Sequence, residues 1–245
     1  MSGDIKLSIV VATTGRSTLG SAIESATSQM LPGDEILVVF DDTGDAGDTP
    51  RNKVLDSLHG THIMFLDDDD ELVPGALEIV RAFAEERPGR FGFFQGDRGP
   101  TGVVWKRDGM SLMGAATGMC VVPNVPDRIG RFGRVPGAPP GRLGDYPFFV
   151  ETAAMLGDPV WCEEVIYALR PEKSRIKLLR YKLKLRTRLK HLLGHREQDG
   201  TPARSYPEAE AWAVARTHEL RGQLGDAPVV EGRSEPEIWH ARGRL

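Results

Sequence analysis

The chain has 245 residues, of which 40% are hydrophobic and 27% charged. That is the make-up of an ordinary globular protein, long enough for one large α/β domain or one domain with an appendage. The net charge of −4 says little by itself, because the charge is unevenly placed. Two cysteines, Cys120 and Cys162, exclude a disulfide framework and a cysteine metal site. No apolar run approaches the roughly 18 residues of a membrane span, and Met1-Ser2-Gly3-Asp4 has no signal-peptide character. The expectation is a cytoplasmic protein, peripheral at a membrane at most.

Leu7-Ser8-Ile9-Val10-Val11-Ala12 is too short for a helix and reads as a buried parallel strand. It stops at the polar turn Thr13-Thr14-Gly15-Arg16, after which Ser17 or Thr18 can cap a helix with Leu19, Ala22, Ile23, Ala26 and Met30 on its apolar face. Pro32-Gly33 breaks that helix. A second strand, Glu35 to Phe40, ends in Asp41-Asp42 and a flexible Gly44–Asp48 loop. Thr49-Pro50 then resembles an N-cap with proline at the first helical position, ahead of a short helix carrying Arg51 and Asn52.

The third strand, His62 to Leu66, runs into four carboxylates, Asp67-Asp68-Asp69-Asp70. Ligands in open α/β sheets sit outside the carboxyl ends of strands. Right-handed crossovers put both acid-tipped ends on one edge of the sheet. Four adjacent acids repel one another unless a cation joins them. A hard divalent ion such as Mg²⁺ or Mn²⁺ suits their oxygens and completes its shell with substrate phosphates. A solvated acidic turn capping the next helix is the alternative. There is neither a G-x-G-x-x-G nor a G-x-x-x-x-G-K-[ST] loop, so phosphate charge would have to be met by a metal.

From about Phe91 to Arg142 glycine and proline abound, with short strands expected at Phe91–Phe94, Val103–Trp105 and Met119–Val122. The loop from Gly130 to Arg142 carries Arg131, Arg134 and Arg142, which could meet an anionic substrate or simply face water. Gly144-Asp145-Tyr146-Pro147 opens a helix, with Asp145 where an N-cap belongs. Val160–Cys162 and Val165–Leu169 read as closing strands before Arg170-Pro171.

Arg175 to Lys190 holds eight Lys or Arg residues and no acid, with Leu178, Tyr181, Leu185, Leu189 and Leu192 on one helical face. Such a helix suits an anionic membrane surface or a nucleic acid, or packs its leucines on its own domain. Ser205-Tyr206-Pro207-Glu208 has capping-box form and starts a helix with Ala211, Val214, Ala215 and Leu220 on apolar positions. The last twenty residues look irregular, available to cover a site or to mediate self-association into a homo-oligomer.

In this order the pieces resemble the family 2 inverting glycosyltransferases of GT-A fold, from about Lys6 to Arg170. The specific part is the frame Phe-Leu-Asp-x-Asp-Asp-x-Leu-x-Pro-Gly-Ala-Leu, matched throughout by Phe65 to Leu77. Val10–Arg16, Asp41-Asp42 and Arg51-Asn52 match the earlier strand ends and helix start. The family's Glu-Asp pair stands here as Gly144-Asp145. The resemblance implies an α/β GT-A fold, a mainly parallel Rossmann-like sheet flanked by helices, over residues 1–172. A basic helix and helical extension fill 173–245.

It also implies roles. Asp41 or Asp42 would contact the nucleoside of a nucleoside-diphosphate sugar, a UDP-sugar favoured, with Thr13, Thr14 and Arg16 lining the same pocket. Arg51 would approach the base or diphosphate. Asp67 would touch the ribose or reach the metal through water, Asp68 and Asp70 would flank it with one of them capping the next helix, and Asp69 would bind Mn²⁺ or Mg²⁺ directly. Asp145 would deprotonate the hydroxyl of a glycan, lipid-linked sugar or other acceptor. Arg170 follows the last strand, while Lys173 and Ser174 stand where many relatives carry a histidine. The alternatives are a degenerate domain binding nucleotide or a partner without turnover, a transferase acting on nucleic-acid bases, and a sugar-nucleotide pyrophosphorylase. The last lacks its glycine-rich, Arg- and Lys-bearing N-terminal loop.

Overall fold

The apolar runs of the first third lie side by side. In the computed structural model, which describes residues 5–99, 102–104, 116–138, 143–171, 207–224 and 238–239, β1 (Leu7–Thr13) is buried along its whole length. It is flanked by β2 (Glu35–Phe40) and β3 (His62–Asp67), both parallel to it. Their registers set Thr13 beside Phe40 and Ala12 beside Asp67. The residues that follow all three strands therefore emerge on one edge of the sheet.

Two helices connect these strands. α1 (Leu19–Thr27) buries Ala22 and Ala26, and α2 (Asp48–Leu55) buries Pro50, Arg51 and Leu55. α2 begins one residue before the expected Thr49 cap. Gly47 occupies the cap position at φ 87, a left-handed conformation that glycine adopts without the Cβ penalty. Asp45 receives the Thr49 amide and hydroxyl instead.

Past β3 the chain forms β4 (Glu71–Leu72), α3 (Ala76–Glu86), β5 (Gly92–Asp97), β6 (Val103–Val104) and β7 (Cys120–Pro123). α4 (Asp145–Leu156) and β8 (Val160–Ala168) complete the body. The sheet order among the described residues is β2-β1-β3-β7-β5-β8-β4, with β6 on β5. β7 runs against β3 and β5, β4 against β8, and β6 against β5, so the sheet is mixed rather than uniformly parallel. β5 and β8 are parallel. The two closing strands expected at 160–162 and 165–169 are one continuous strand. A register irregularity against β5 near Gln95 absorbs Glu163 and Glu164 between the apolar runs.

Between β7 and α4, residues 130–138 pack against the body. Phe132 is buried and held at both ends by Asn52, whose amide donates to the Phe132 carbonyl at 2.7 Å and accepts its N–H at 2.9 Å. Arg131 is tied to Asp56 and, through its backbone, to Glu151. Phe132 stacks on Phe148 of α4 with ring centres 4.5 Å apart, and Phe65 of β3 meets both rings edge-on at 5.1 and 5.3 Å. Edge and offset contacts of this kind add to the burial of the rings themselves.

α5 (Pro207–Leu224) packs on α4 through Ala209 and Ala213, with Arg216 paired to Glu151. Of the four apolar positions expected for this helix, Leu220 is buried while Ala211, Val214 and Ala215 face solvent. The packing face lies a residue or two away, where Ala209 and Ala213 are buried with Tyr146 and Val150 of α4 and with Val135 and Ala138. The basic stretch from Arg175 to Lys190, and Lys173 and Ser174, lie outside the described residues. Within them, no helix is long and apolar enough to cross a membrane.

The tail, expected to be irregular, contributes β9 (Ile238–Trp239), parallel to β8. Trp239 is buried against Phe83 and Phe94, and its indole N–H donates to Glu86 at 2.9 Å. Replacing a buried Trp by Ala costs about 3–5 kcal/mol, and at roughly 2–4 °C per kcal/mol for a domain this size Trp239→Ala should lower the melting temperature by about 6 °C or more. An unchanged melting curve would mean that the tail is not part of the core.

Candidate functional site

Along the edge where β1, β2 and β3 end, Ala12, Thr13, Thr14, Arg16, Asp41, Ala46, Gly47, Arg51, Asp67, Asp68, Asp69 and Arg170 line an open cavity of about 170 Å³. The four consecutive aspartates from the end of β3, three of which line this cavity, do not share one environment. Asp68 is buried and accepts the Thr13 hydroxyl at 2.7 Å, the Thr14 amide at 3.4 Å and an Arg16 guanidinium N–H at 2.8 Å. It ties the end of β1 to the end of β3. Asp70, also buried, accepts the Arg170 backbone N–H at 2.8 Å, and burial pushes its carboxyl up to about 7. Neither caps the following helix, because Gly75 takes that position at φ 82. Both serve to fix loops around the cavity.

Asp67 and Asp69 also line the cavity and carry its ion pairs with Arg51, Arg16 and Arg170. Asp67 accepts from Arg51 at 2.6 Å, and its side chain is 43% exposed. Asp69 is bridged by Arg16 and Arg170, each at 3.1 Å. Arg170 has φ 46, uncommon for a residue with a side chain, and it is held there by two of the aspartates.

Asp41 stands at the other wall. Burial would raise its pKa, but hydrogen bonds from Thr43, Gly44 and Gly47 outweigh that and hold it below the usual carboxylate range. It therefore stays charged while shaping the loop from 43 to 47. Asp42 is exposed and outside the cavity lining. Arg51 crosses from α2 to Asp67 with its side chain only 5% exposed, donates to the Ala46 carbonyl at 3.0 Å and lies over the Phe132 ring. A cation over an aromatic face is attracted by the ring's quadrupole, so Arg51 is fixed on three sides.

Asp145 begins α4 beside this cavity. Gly144 holds the cap position, and the Asp145 carboxylate accepts its own backbone N–H at the first turn. It also accepts from Thr117 at 3.4 Å, and burial, partly offset by that N–H and by the nearby Arg51, pushes its carboxyl up to about 6. A second carboxylate stands against it. A Cβ on Gly144 would lie 1.8 Å from Asp48 Oδ2, so the Asp48 carboxylate fills the space a side chain at 144 would need. Burial and the like charge of Asp45 push Asp48 up to about 7, with Asp145 adding to the effect.

The fold thus brings Thr13, Thr14, Arg16, Asp41, Arg51, Asp67, Asp68, Asp69 and Arg170 into one cavity, with Asp145 close by and Asp42 apart. Asp48 and Thr117 escape sequence reasoning. Asp48 reads there as part of a flexible loop before Thr49, and Thr117 sits in the glycine-rich middle with no pattern to mark it. The glycine at 144 is the one signal available, since it makes room for a carboxylate from elsewhere. Asp67 and Asp69 offer hard oxygen donors that fit Mg²⁺ or Mn²⁺. No group of three or more His, Cys, Asp or Glu residues that could hold a metal occurs among the described residues. A cation here would take one or two carboxylates and draw its remaining ligands from water and phosphate.

No protein-family profile matches the sequence, and no curated protein matches it. Among solved structures the chain has the fold of a glycosyltransferase: a mixed sheet of parallel and antiparallel strands flanked by helices. The likeness is to TarS of S. aureus. Its 1–349 fragment superposes with a TM-score of 0.51 at 14% identity, over 90% of this chain and 73% of that one. The same fragment in complex with UDP-GlcNAc gives 0.53 at 12% identity, over 90% and 71%. Against a longer TarS chain the TM-score is 0.51 at 16% identity, and this chain spans only 36% of that length.

Asp48 gives a test of this electrostatic arrangement. A carboxyl whose folded pKa is raised binds its proton more tightly in the folded state than in the unfolded one. Its burial therefore destabilises the protein as pH rises from about 4 toward 7 and above. Asp48→Asn should raise the melting temperature clearly at pH 7.5 and by a distinctly smaller amount at pH 5, where the folded protein still holds the proton and only the unfolded chain has lost it. Equal shifts at both pH values would contradict the raised pKa.

Proposed function

We propose that this chain is a metal-dependent inverting glycosyltransferase, resembling family 2, that moves a sugar from a nucleoside-diphosphate sugar to an acceptor hydroxyl. The observation that carries the reading is the convergence of three strand ends on one cavity walled by Asp41, Arg51, Asp67, Asp69, Arg16 and Arg170. The likeness to a fold solved with UDP and with UDP-GlcNAc supports a UDP-sugar as donor.

The roles follow from position and charge. Asp41, kept ionised by its own loop, faces the nucleoside with Thr13 and Thr14. Arg51 is braced by Phe132 and Asp67 and sets the wall between nucleoside and diphosphate. Asp69, with Asp67 beside it, would hold Mg²⁺ or Mn²⁺, which when bound supplies Lewis-acid neutralisation of the leaving diphosphate. Arg16 and Arg170 add positive charge at the same opening.

Asp145 takes the acceptor's proton as the acceptor oxygen bonds to the anomeric carbon. The bond from that carbon to the phosphate oxygen breaks, its electron pair leaves with the nucleoside diphosphate, and the configuration inverts. A base with a pKa near the working pH transfers protons efficiently, and burial brings Asp145 to about 6. Asp48, pressed against Gly144, supplies a second carboxylate on the acceptor side.

Asp145→Asn should lower turnover by about 10² to 10⁴, the usual contribution of a general base, with UDP affinity nearly unchanged. Because the base must be ionised, wild-type turnover should fall as pH drops through about 6. UDP release from a UDP-sugar across pH 4.5–8.5, for both proteins, checks this. A mutant as active as wild type would remove Asp145 from the reaction.

A further inference from the structure

The three arginines of the cavity are not equivalent. Arg51 is locked, its side chain 5% exposed, bonded to Asp67 and the Ala46 carbonyl and covered by Phe132. Arg16 and Arg170 are anchored by their backbones and have their side chains half in solvent, at 50% and 57% exposure. Arg16 follows the tight turn at Gly15, whose φ is +83. Arg170 is pinned by its N–H to Asp70, directly beyond β8. Both guanidiniums converge on the same acceptor, Asp69 Oδ2, each at 3.1 Å, and Asp69 is itself only 10% exposed.

Asp69 thus holds two guanidiniums on one oxygen, sharing one of them with Asp68. Arg16 divides its charge with Asp68 at 2.8 Å. For Arg170, among the ion pairs described, Asp69 is the acidic partner. A divalent cation arriving at Asp69 would meet two guanidiniums within a few ångströms. At 5 Å in water a unit charge and a divalent ion repel by about 1.7 kcal/mol before screening. The cost disappears if the arginines turn to an anion entering with the cation, and a diphosphate is such an anion.

We propose that Arg16 and Arg170 are exchangeable countercharges. They neutralise Asp69 when no donor is bound, and they transfer to the donor's diphosphate when a divalent cation takes their place on Asp69. This rests on the donor reading above and adds an order to it. Cation alone binds weakly, diphosphate alone binds weakly, and each strengthens the other by the same factor, as linkage requires. The arginines then act as ligands for phosphate and as antagonists of the metal at one site.

The test is Mn²⁺ binding by the full chain, followed by electron paramagnetic resonance of the free ion, with and without UDP. It compares wild type with Arg16→Gln and Arg170→Gln, two half-exposed positions where glutamine keeps most of the side-chain bulk. In the absence of UDP each variant should bind Mn²⁺ about 3- to 10-fold more tightly than wild type, since one repelling charge is gone. In the presence of Mn²⁺ each should bind UDP about 10-fold more weakly. Mn²⁺ affinity that is unchanged or lower in both variants, while wild type still binds UDP with Mn²⁺, overturns the exchange and leaves the donor reading standing. Wild type that binds neither Mn²⁺ nor UDP overturns both.

Discussion

Four carboxylates at the end of one buried strand must be held against their own repulsion, and the architecture around them is arranged to do it. β3 delivers Asp67 to Asp70 to the sheet edge, and each acid is met by a group from a different part of the chain. Thr13 and Arg16 come from the end of β1, Arg51 from α2, and Arg170 from the end of β8. Residues 13 and 170 are far apart in sequence and line the same cavity, each bonded to one of these acids. The two buried members, Asp68 and Asp70, serve the loops, and Asp67 and Asp69 serve the cavity.

The aromatic trio of Phe65, Phe132 and Phe148 performs the matching task for Asp145. Phe65 lies two residues before the acids and Phe148 three residues after Asp145, so their edge-on contact sets the distance between the two halves of the site. Phe132 closes the triangle and supports Arg51 from below. A chain segment rich in glycine and proline is thereby fastened to α2 by Asn52 and to α4 by Glu151.

Much of this was legible from residues alone, and the parts that were not share a cause. The strands of the first third announce themselves because a fully buried parallel strand must be apolar throughout. The acid-tipped ends stand out because charge is costly beside such runs. The resemblance assigns Asp69 to a metal and Asp67 to the ribose; in the structure Asp67, Asp68 and Asp69 all line the cavity, and Asp67 is the most exposed of the three. Asp48 was missed because its role depends on a glycine almost a hundred residues later. The packing face of α5 was misjudged because the surface it meets, on α4, cannot be read from α5 itself. The tail looked irregular, yet one tryptophan suffices to dock it, since Phe83 and Phe94 offer an aromatic seat. Local pattern reveals elements, and long-range contacts decide which of their side chains meet.

The acids and arginines at this sheet edge are proposed to activate a nucleoside-diphosphate sugar for inverting transfer. The most direct measurement is nuclear magnetic resonance of a panel of UDP-α-sugars incubated with the protein and Mn²⁺, with water as a slow acceptor. The account predicts release of UDP and first appearance of the β-anomer of the sugar from at least one donor, suppressed by EDTA. First appearance of the α-anomer, or no UDP released from any donor at enzyme-level concentrations, would contradict it.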